Sequence, residues 1–316
     1  MYETILDKIE RSDKISIFRH QRPDGDAMFS ALALYRFLKD NFPEKDIKVA
    51  GEDKYDLISR NDRISLKFIK ESLAFVLDTS TSDRIDDERA LEAPYIIKID
   101  HHPIDAPYGQ INLVDAKASA CAEVLAKMFL SESFRKFILS EKTCEYLYSG
   151  IVTDTINFRT TNVTAGTLQT ASRLIEKGDL KVAEIVEFLM DKNIEDYQKT
   201  TKIRTRLKID GHFGYIIFTE KDLEKLGMDQ LQAKNNIDEI GRIKDLRIWS
   251  IATQKDGLYD VSVRSKRGLV INEVCAAYGG GGHKNAAACK KLSRKQLKTM
   301  YETLHEMSEK APVSDK

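Results

Sequence analysis

One histidine and two aspartates stand close together in the segment His20-Gln-Arg-Pro-Asp24-Gly-Asp26-Ala. Pro23 and Gly25 favour a tight turn, and such a turn would bring the three side chains toward one point. A set of one imidazole and two carboxylates suits manganese, iron or zinc better than magnesium, which prefers oxygen ligands. An Asp-x-Asp pair alone is often a helix cap or a surface turn, so a metal site here needs partners from elsewhere.

Polar residues also end two apolar runs further along the chain. Asp78 closes the run Ala-Phe-Val-Leu-Asp, and Asp100, His101 and His102 follow Tyr-Ile-Ile-Lys-Ile. A polar side chain at the end of a buried run is costly unless it is paired or binds something. Two adjacent histidines on an extended segment point to opposite sides, so one could bind a metal while the other faces a substrate. For Asp78, a role as a helix N-cap is an alternative.

A single acid interrupts the otherwise apolar helical segment Ser149-Gly-Ile-Val-Thr-Asp154-Thr-Ile-Asn-Phe158. A buried aspartate without a positive partner is destabilising, and a metal ion would supply that partner. A core carboxylate satisfied by hydrogen bonds is an equally good interpretation of this residue alone.

The C-terminal half carries a motif of another kind. Four glycines, at 279–282, precede His283-Lys-Asn-Ala, and Val-Arg264-Ser265 ends an apolar run upstream. Glycine backbone lets amide groups approach a phosphate closely, while Arg264 and His283 could add charge-assisted donors. The pattern favours a phosphate site, although a glycine run alone is also compatible with a flexible turn.

Most of these residues stand at the ends of short β-rich runs that alternate with helical patterns. We predict strands at 15–18, 47–50, 74–78, 95–100 and 111–115, a helix at 27–42, and mainly helices from about 119 to 188. This alternation is typical of a parallel sheet with crossover helices on both faces. Ligands of such sheets bind at the carboxyl ends of the strands, where the polar groups fall.

Length and composition fit a globular protein of two domains. The chain has 316 residues, of which 42% are hydrophobic and 32% charged, so it exceeds the usual single domain and resembles ordinary globular proteins. The charged stretch at 191–208 predicts a helical linker. We expect an N-terminal metal-binding domain at 1–190. Across a cleft from it, we expect a smaller α/β substrate-binding domain at 209–316, whose strands start near 213, 246 and 258.

Charge and cysteine usage limit the partners, the cellular location and the cysteine chemistry that we expect. Fifty Lys and Arg residues balance fifty Asp and Glu residues, so we expect no long polyanion such as duplex DNA as a partner. The chain has neither an apolar N-terminal signal nor a long apolar run, so we expect a cytoplasmic protein without membrane contact. The four cysteines form no Cys-x-x-Cys pair, which predicts buried free thiols.

Taken together, these motifs resemble the DHH phosphoesterase superfamily. The resemblance rests on His-x-x-Pro-Asp-x-Asp-Ala at 20–27, the strand-end Asp78, Asp-His-His at 100–102, Asp154, and Gly-Gly-Gly-Gly-His-Lys-Asn-Ala-Ala in the second half. The last motif is similar to that of the DHH-associated domain. The resemblance covers nearly the whole chain, and it implies a metal-dependent phosphoesterase.

The resemblance also implies roles for individual residues. Two divalent cations would be bound, with Asp78 bridging them, by His20, Asp24, Asp26, Asp78, His101 and Asp154. Manganese is the expected cation, with magnesium or cobalt as alternatives. His102 would face the substrate phosphate as a catalytic residue, and Asp100 would orient a ligand histidine. The substrate would contact the second domain through Arg264, Ser265, Gly280, Gly281, Gly282 and His283.

Within the superfamily, the chain resembles the stand-alone, NrnA-like branch of oligoribonucleases and pAp phosphatases. That branch implies hydrolysis of short single-stranded RNA (nanoRNA) to mononucleotides, and of 3′-phosphoadenosine 5′-phosphate (pAp) to AMP. A phosphodiesterase of cyclic-di-AMP or pApA is the alternative, and a non-catalytic nucleotide-binding module is a more remote one. The sequence leaves open whether the chain forms a homodimer.

Overall fold

The computed structural model describes residues 1–50, 62–103, 107–191, 193–266 and 268–310. The chain divides into two compact units, Met1–Asp191 and Lys192–Lys316. Among the described residues, no helix is both long enough and apolar enough to span a membrane. All four cysteines are free and buried, as predicted.

A five-stranded parallel sheet forms the centre of the first unit, in the order β2-β1-β3-β4-β5. Its strands are β1 (Lys14–Phe18), β2 (Asp46–Val49), β3 (Leu73–Leu77), β4 (Tyr95–Asp100) and β5 (Ile111–Val114). The predicted α/β class with a parallel sheet is confirmed, and each strand lies within one residue of its prediction. Every residue of β3 is buried, as expected of a central parallel strand covered on both faces.

Helices and short turns cover the sheet of the first unit. The helices are α1 (Tyr2–Arg11), α2 (Gly25–Asn41), α3 (Leu66–Lys70), α4 (Cys121–Phe129), α5 (Glu141–Asp154), α6 (Ala165–Gly178) and α7 (Val182–Met190). The three middle strands, β1, β3 and β4, contribute residues to two separate cores. Phe75 packs with residues of α1, α2, α4 and α5, while its neighbour Val76 packs with residues of α3 on the opposite face.

The second unit is built on a six-stranded mixed sheet in the order β10-β11-β9-β8-β7-β6. Its strands are β6 (Lys208–Asp210), β7 (Phe213–Phe218), β8 (Ile248–Lys255), β9 (Leu258–Ser265), β10 (Gly281–His283) and β11 (Ala286–Leu292). Its helices are α8 (Ile194–Arg204), α9 (Glu220–Leu226), α10 (Gln230–Lys234), α11 (Ile237–Ile240), α12 (Asn272–Ala276) and α13 (Arg294–Lys310). Residues of α12 and α13 line one core, and α8 contributes Ile203 to the other.

Candidate metal centre

The carboxyl ends of β1, β3 and β4 lie side by side, because these three parallel strands are neighbours in the sheet. His20 follows β1, Asp78 follows β3, and His101 follows β4. The His20 Nε2 atom lies 3.5 Å from Asp78 Oδ2, and the His101 Nε2 atom lies 3.4 Å from Asp78 Oδ1. Asp78 therefore lies between two imidazoles, one on each of its carboxylate oxygens.

Asp78 is held in an unusual position at the centre of this group. Its backbone is left-handed, with φ of 51°, and its N–H donates to the carbonyl of Ile99 on the neighbouring strand. Its side chain is 2% exposed, and among the described residues its Oδ1 atom accepts no hydrogen bond. The next short helix begins with Thr81 as its N-cap. A strained backbone and an unsatisfied buried oxygen are typical of a ligand position rather than of a cap.

The N-terminus of α2 supplies two further carboxylates. Asp24 is its N-cap and accepts a hydrogen bond from the Ala27 N–H, so the cap interpretation holds. The same Asp24 Oδ1 atom also lies 3.7 Å from His20 Nε2, which places this exposed side chain beside the centre. Asp26, in contrast, is 1% exposed, and its oxygens accept hydrogen bonds from the backbone amides of Cys121 and Ala122 at the start of α4.

Asp154 is the last residue of α5, and its Oδ2 atom lies 3.9 Å from His101 Nε2. The chain then makes a left-handed turn through Ile156, Asn157 and Phe158, whose φ angles are 49°, 57° and 60°. A hydrogen bond from Asn157 N–H to the Val152 carbonyl closes this turn at 2.8 Å. Left-handed backbone is costly for a β-branched residue, and nothing in the sequence pattern indicated it here.

Close packing of α2 and α5 brings Asp26 and Asp154 together. A Cβ atom on Gly150 of α5 would lie 2.6 Å from the Ala122 Cβ and 3.0 Å from Asp26 Oδ1. A Cβ on Gly25 would lie 2.6 Å from the side chain of Thr153. Glycine at both positions therefore permits a helix approach that any side chain would block.

Three sets of donor atoms are compact enough to hold a metal ion, with all atoms of each set within 4.8 Å of one another. The sets are His20, Asp24 and Asp78; Asp26, His101 and Asp154; and Asp78, His101 and His102. The structure thus brings together all six side chains that were predicted from the sequence as metal ligands.

The arrangement of His102 differs from the expectation. The two histidine rings do not point to opposite sides: their centroids are 4.4 Å apart, and His102 Nδ1 lies 3.6 Å from the same Asp78 Oδ1 atom that His101 approaches. The prediction was wrong because it assumed that the extended chain continues beyond Asp100, whereas β4 ends there and the backbone bends at His102. Asp100 Oδ1 accepts from the His101 N–H, the His102 N–H and His102 Nδ1. Its carboxylate therefore orients the ring of His102, and contacts His101 through the backbone.

In the second unit, the glycine segment is ordered rather than a loose turn, since part of it forms β10 and pairs with β11. Ala286 pairs with His283 on one side and with Arg264 on the other, which places these two residues in one row across the sheet. A Cβ on Gly280 would lie 2.2 Å from a carbonyl of β11, so that position requires glycine. Gly281, Gly282 and His283 are exposed.

Ser265 has a different environment from the other predicted substrate-binding residues. Its side chain is buried, and its hydroxyl donates to the Leu269 carbonyl at 2.6 Å. Its N–H donates to the Asn285 carbonyl just before β11. Both bonds hold Ser265 in place at the end of β9, beside Arg264.

Comparison with known proteins agrees with this architecture. Residues 14–151 match the sequence model described as DHH family, N-terminal domain, and residues 214–310 match that of the DHHA1 domain. The chain is 34% identical to the probable bifunctional oligoribonuclease and PAP phosphatase NrnA of Streptococcus mutans, over 96% of this chain and 97% of that protein. The chain belongs to the DHH family.

Two further relatives extend the comparison of this DHH-family chain. The bifunctional oligoribonuclease and PAP phosphatase NrnA of Bacillus subtilis is 32% identical over 90% of this chain and 91% of that protein. The crystal structure of an exopolyphosphatase-related protein from Bacteroides fragilis covers 98% of this chain with a TM-score of 0.84. At 22% identity, this second likeness concerns the fold alone.

The electrostatics of the DHH centre fit a divalent cation. Burial opposes a charged His20, yet Asp24 and Asp78 outweigh burial and raise its pKa to about 10. Burial likewise opposes a charged His101, but Asp78 and its neighbouring carboxylates raise that pKa to about 10. Burial and the nearby Asp78 raise the pKa of Asp26 well above its usual value. Protons are thus held where carboxylates are crowded, and cations would balance the same excess of negative charge.

Proposed function

We propose that this DHH-family chain is a metal-dependent hydrolase of short oligoribonucleotides and of pAp, with mononucleotides and AMP as products. The observation that carries the proposal is the convergence of two imidazoles and three carboxylates around the buried Asp78, whose Oδ1 atom has no hydrogen-bond donor among the described residues. Relatives named oligoribonuclease and PAP phosphatase match this chain over nearly their whole length, which supports the choice of substrates.

We propose that the centre holds two divalent cations, with manganese as the native ion. His20, Asp24 and Asp78 would hold one, and Asp26, Asp78, His101 and Asp154 the other. A mixed nitrogen and oxygen donor set favours manganese over magnesium, which prefers oxygen ligands. When bound, the cations would lower the pKa of a water and offset the charge of the phosphoryl group.

His102 would act on the substrate rather than on a cation. Its side chain is 36% exposed, whereas those of His20 and His101 are 9% and 12% exposed. Asp100 takes the hydrogen bond of its Nδ1 atom, so Nε2 is the nitrogen available to the substrate. From there His102 would donate a hydrogen bond to the phosphate or a proton to the leaving oxygen.

The domain roles are part of the same proposal. Residues 1–190 would form the catalytic domain, 191–208 the linker and 209–316 the domain that binds substrate. Arg264, His283 and the exposed Gly281 and Gly282 would bind a phosphate or nucleotide of the substrate, whereas the Gly280 N–H already donates to the Cys275 carbonyl. Ser265 would contribute indirectly, by fixing the end of β9 beside Arg264, since its hydroxyl donates to the Leu269 carbonyl.

A panel of substrates tests this function. Purified protein with Mn²⁺ is assayed on an RNA dinucleotide, pAp, pApA and cyclic-di-AMP, with a chelated sample as the control. We expect hydrolysis of the dinucleotide and of pAp, and none after chelation. Hydrolysis confined to cyclic-di-AMP, or full activity in the chelated sample, would overturn the proposal.

The same panel addresses the alternative substrate class. The cyclic-di-AMP phosphodiesterase GdpP of Geobacillus thermodenitrificans is 29% identical over 89% of this chain, which spans 45% of that protein. Relatives named for oligoribonucleotides and PAP match more of their own length. A non-catalytic nucleotide-binding module is disfavoured because none of the six residues expected as ligands is missing from the sequence.

A further inference from the structure

A lysine lies buried on β4, two residues before Asp100 at the carboxyl end of that strand. Lys98 on β4 is 0% exposed. A buried ammonium is strongly destabilising unless polar partners surround it, so its partners indicate why it is there. Its Nζ atom donates to the Ser80 carbonyl at 2.7 Å, lies 3.2 Å from Asp100 Oδ2, and sits 5.0 Å from the centre of the Tyr108 ring.

The two oxygens of Asp100 have different tasks. Oδ1 accepts all three N–H donors of the His101 and His102 segment. Oδ2 is buried and faces Lys98 without a hydrogen bond, so this contact is mainly an electrostatic one. Lys98 supplies the positive charge that compensates the carboxylate, and this leaves Oδ1 free to accept the three donors.

Lys98 also reaches the loop that carries Asp78. Ser80, whose carbonyl it bonds, lies two residues beyond Asp78. The Tyr108 hydroxyl donates to the carbonyl of Thr79 at 2.8 Å, and its ring lies against the Lys98 ammonium. The same buried charge thus connects the end of β3, with Asp78, to the end of β4, with the two histidines.

We propose that Lys98 is a positioning residue: its ammonium compensates Asp100 and fixes the Asp78 loop, so that His102 is presented to the substrate. This inference rests on the hydrolysis proposed above, and it adds a residue that contacts neither substrate nor cation. The simpler interpretation is that Lys98 only stabilises the fold, and the experiment must separate the two.

The chain offers a matched control in Lys45. It is 5% exposed, its Nζ atom donates to the carbonyls of Glu10 and Ser12, and it lies 5.4 Å from the centre of the Phe42 ring. It directly precedes β2, at the amino end of the sheet, whereas the centre lies at the carboxyl ends. Lys45→Met therefore removes a buried ammonium of the same kind without touching the centre.

The experiment compares Lys98→Met with Lys45→Met for unfolding and for kinetics on the RNA dinucleotide. We expect both variants to lose thermal stability. Residues that orient the groups around a metal typically contribute about 10- to 100-fold in activity, so we expect kcat to fall by that factor in Lys98→Met alone. KM should change little, since Lys98 does not touch the substrate.

A second measurement does not depend on turnover. Ring ¹⁵N signals of His102, recorded on the cation-free protein, report whether Nδ1 still donates to Asp100. We expect these signals to shift in Lys98→Met and to stay unchanged in Lys45→Met. If the wild type hydrolyses nothing, the proposed function fails, while the His102 signals still decide whether Lys98 positions that ring.

Two results would overturn the inference. One is a kcat of Lys98→Met equal to that of Lys45→Met, and the other is an unchanged His102 signal. If Lys98→Met does not fold, Lys98→Gln, which keeps a donor for Ser80 but removes the charge, takes its place. A normal kcat and normal His102 signals in Lys98→Gln would equally reject the role.

Discussion

Replacing Gly150 by alanine tests how far the centre depends on helix packing. The new Cβ would lie 2.6 Å from Ala122 Cβ and 3.0 Å from Asp26 Oδ1. Ordinary contact between carbon atoms needs about 3.5–4.0 Å. The methyl group of Ala122 cannot rotate away, so α5 must move from α4 by about 1 Å. Asp154, one helical turn after Gly150, would move with it, while the α4 amides hold Asp26.

The change in the free energy of unfolding of Gly150→Ala is the sum of two opposing contributions. Alanine in place of a helical glycine stabilises by about 0.5–1 kcal/mol, and overpacking a well-packed core costs about 1–3 kcal/mol. We therefore expect Gly150→Ala to lower the free energy of unfolding by about 1–2 kcal/mol. A displacement of about 1 Å in a catalytic group can cost roughly 100-fold in rate, so hydrolysis should fall more than stability suggests.

Gly166→Ala, near the start of α6, is the matched control. The new Cβ there would approach only Thr164 Oγ1, at 3.4 Å, so we expect unchanged or slightly higher stability and normal hydrolysis. Urea unfolding, calorimetric Mn²⁺ titration and kcat would be measured for both variants. If Gly150→Ala kept its stability and its cation affinity, the packing argument would be refuted.

Three other predictions concern the separate parts of the molecule. Asp78→Ala should abolish hydrolysis, whereas Arg264→Ala should mainly raise KM; equal losses of kcat at saturating substrate would contradict this division. Because Asp78 and its neighbouring carboxylates raise the pKa of both ligand imidazoles to about 10, cation binding should release protons and tighten with rising pH. Calorimetry in buffers of different ionisation enthalpy checks this, and identical heats in all buffers would speak against it. Partial burial opposes the charge of Asp222, but hydrogen bonds from Thr219 and Arg206 prevail and lower its pKa to about 2. The stabilisation by this carboxylate should therefore be full above the unfolded pKa near 3.8 and fade as pH falls toward 2. In urea unfolding, we expect Asp222→Asn to lower the free energy of unfolding by about 1 kcal/mol at pH 7 and progressively less in acid. A loss independent of pH would reject the assignment.

The three middle strands of the first unit, β1, β3 and β4, could be predicted because nearly all of their residues are buried on both faces. β3 reads as an unbroken apolar run, and its end at Leu77 coincides with the first polar residue, Asp78. The carboxyl ends of parallel neighbours must lie together, so the convergence of His20, Asp78 and His101 followed from local signals alone.

Other features depend on contacts between residues far apart in sequence. The anchoring of Asp26 by the amides of Cys121 and Ala122 joins positions more than ninety residues apart, and no local pattern indicates it. The orientation of His102 depends on the backbone after β4, which ends at Asp100 as predicted, and no local pattern indicates the bend at His102.

Two buried side chains show a related limit. Lys98 interrupts an apolar run, and hydrophobic patterning gives no reason for it until Asp100 and Ser80 are seen beside it. Ser265 has the residue type of a phosphate-binding group, yet its hydroxyl faces inward. Residue type indicates what a side chain can do, whereas its neighbours decide what it does.

The number of Mn²⁺ ions bound per chain, measured by equilibrium dialysis with metal analysis, tests the central claim most directly. Wild type and Asp78→Asn would be compared, because asparagine keeps the shape of the side chain but removes the charge shared by both proposed sites. We predict two ions per wild-type chain and a clear loss of binding in Asp78→Asn. Fewer than two ions in the wild type, or equal binding by the variant, would contradict a centre built around Asp78.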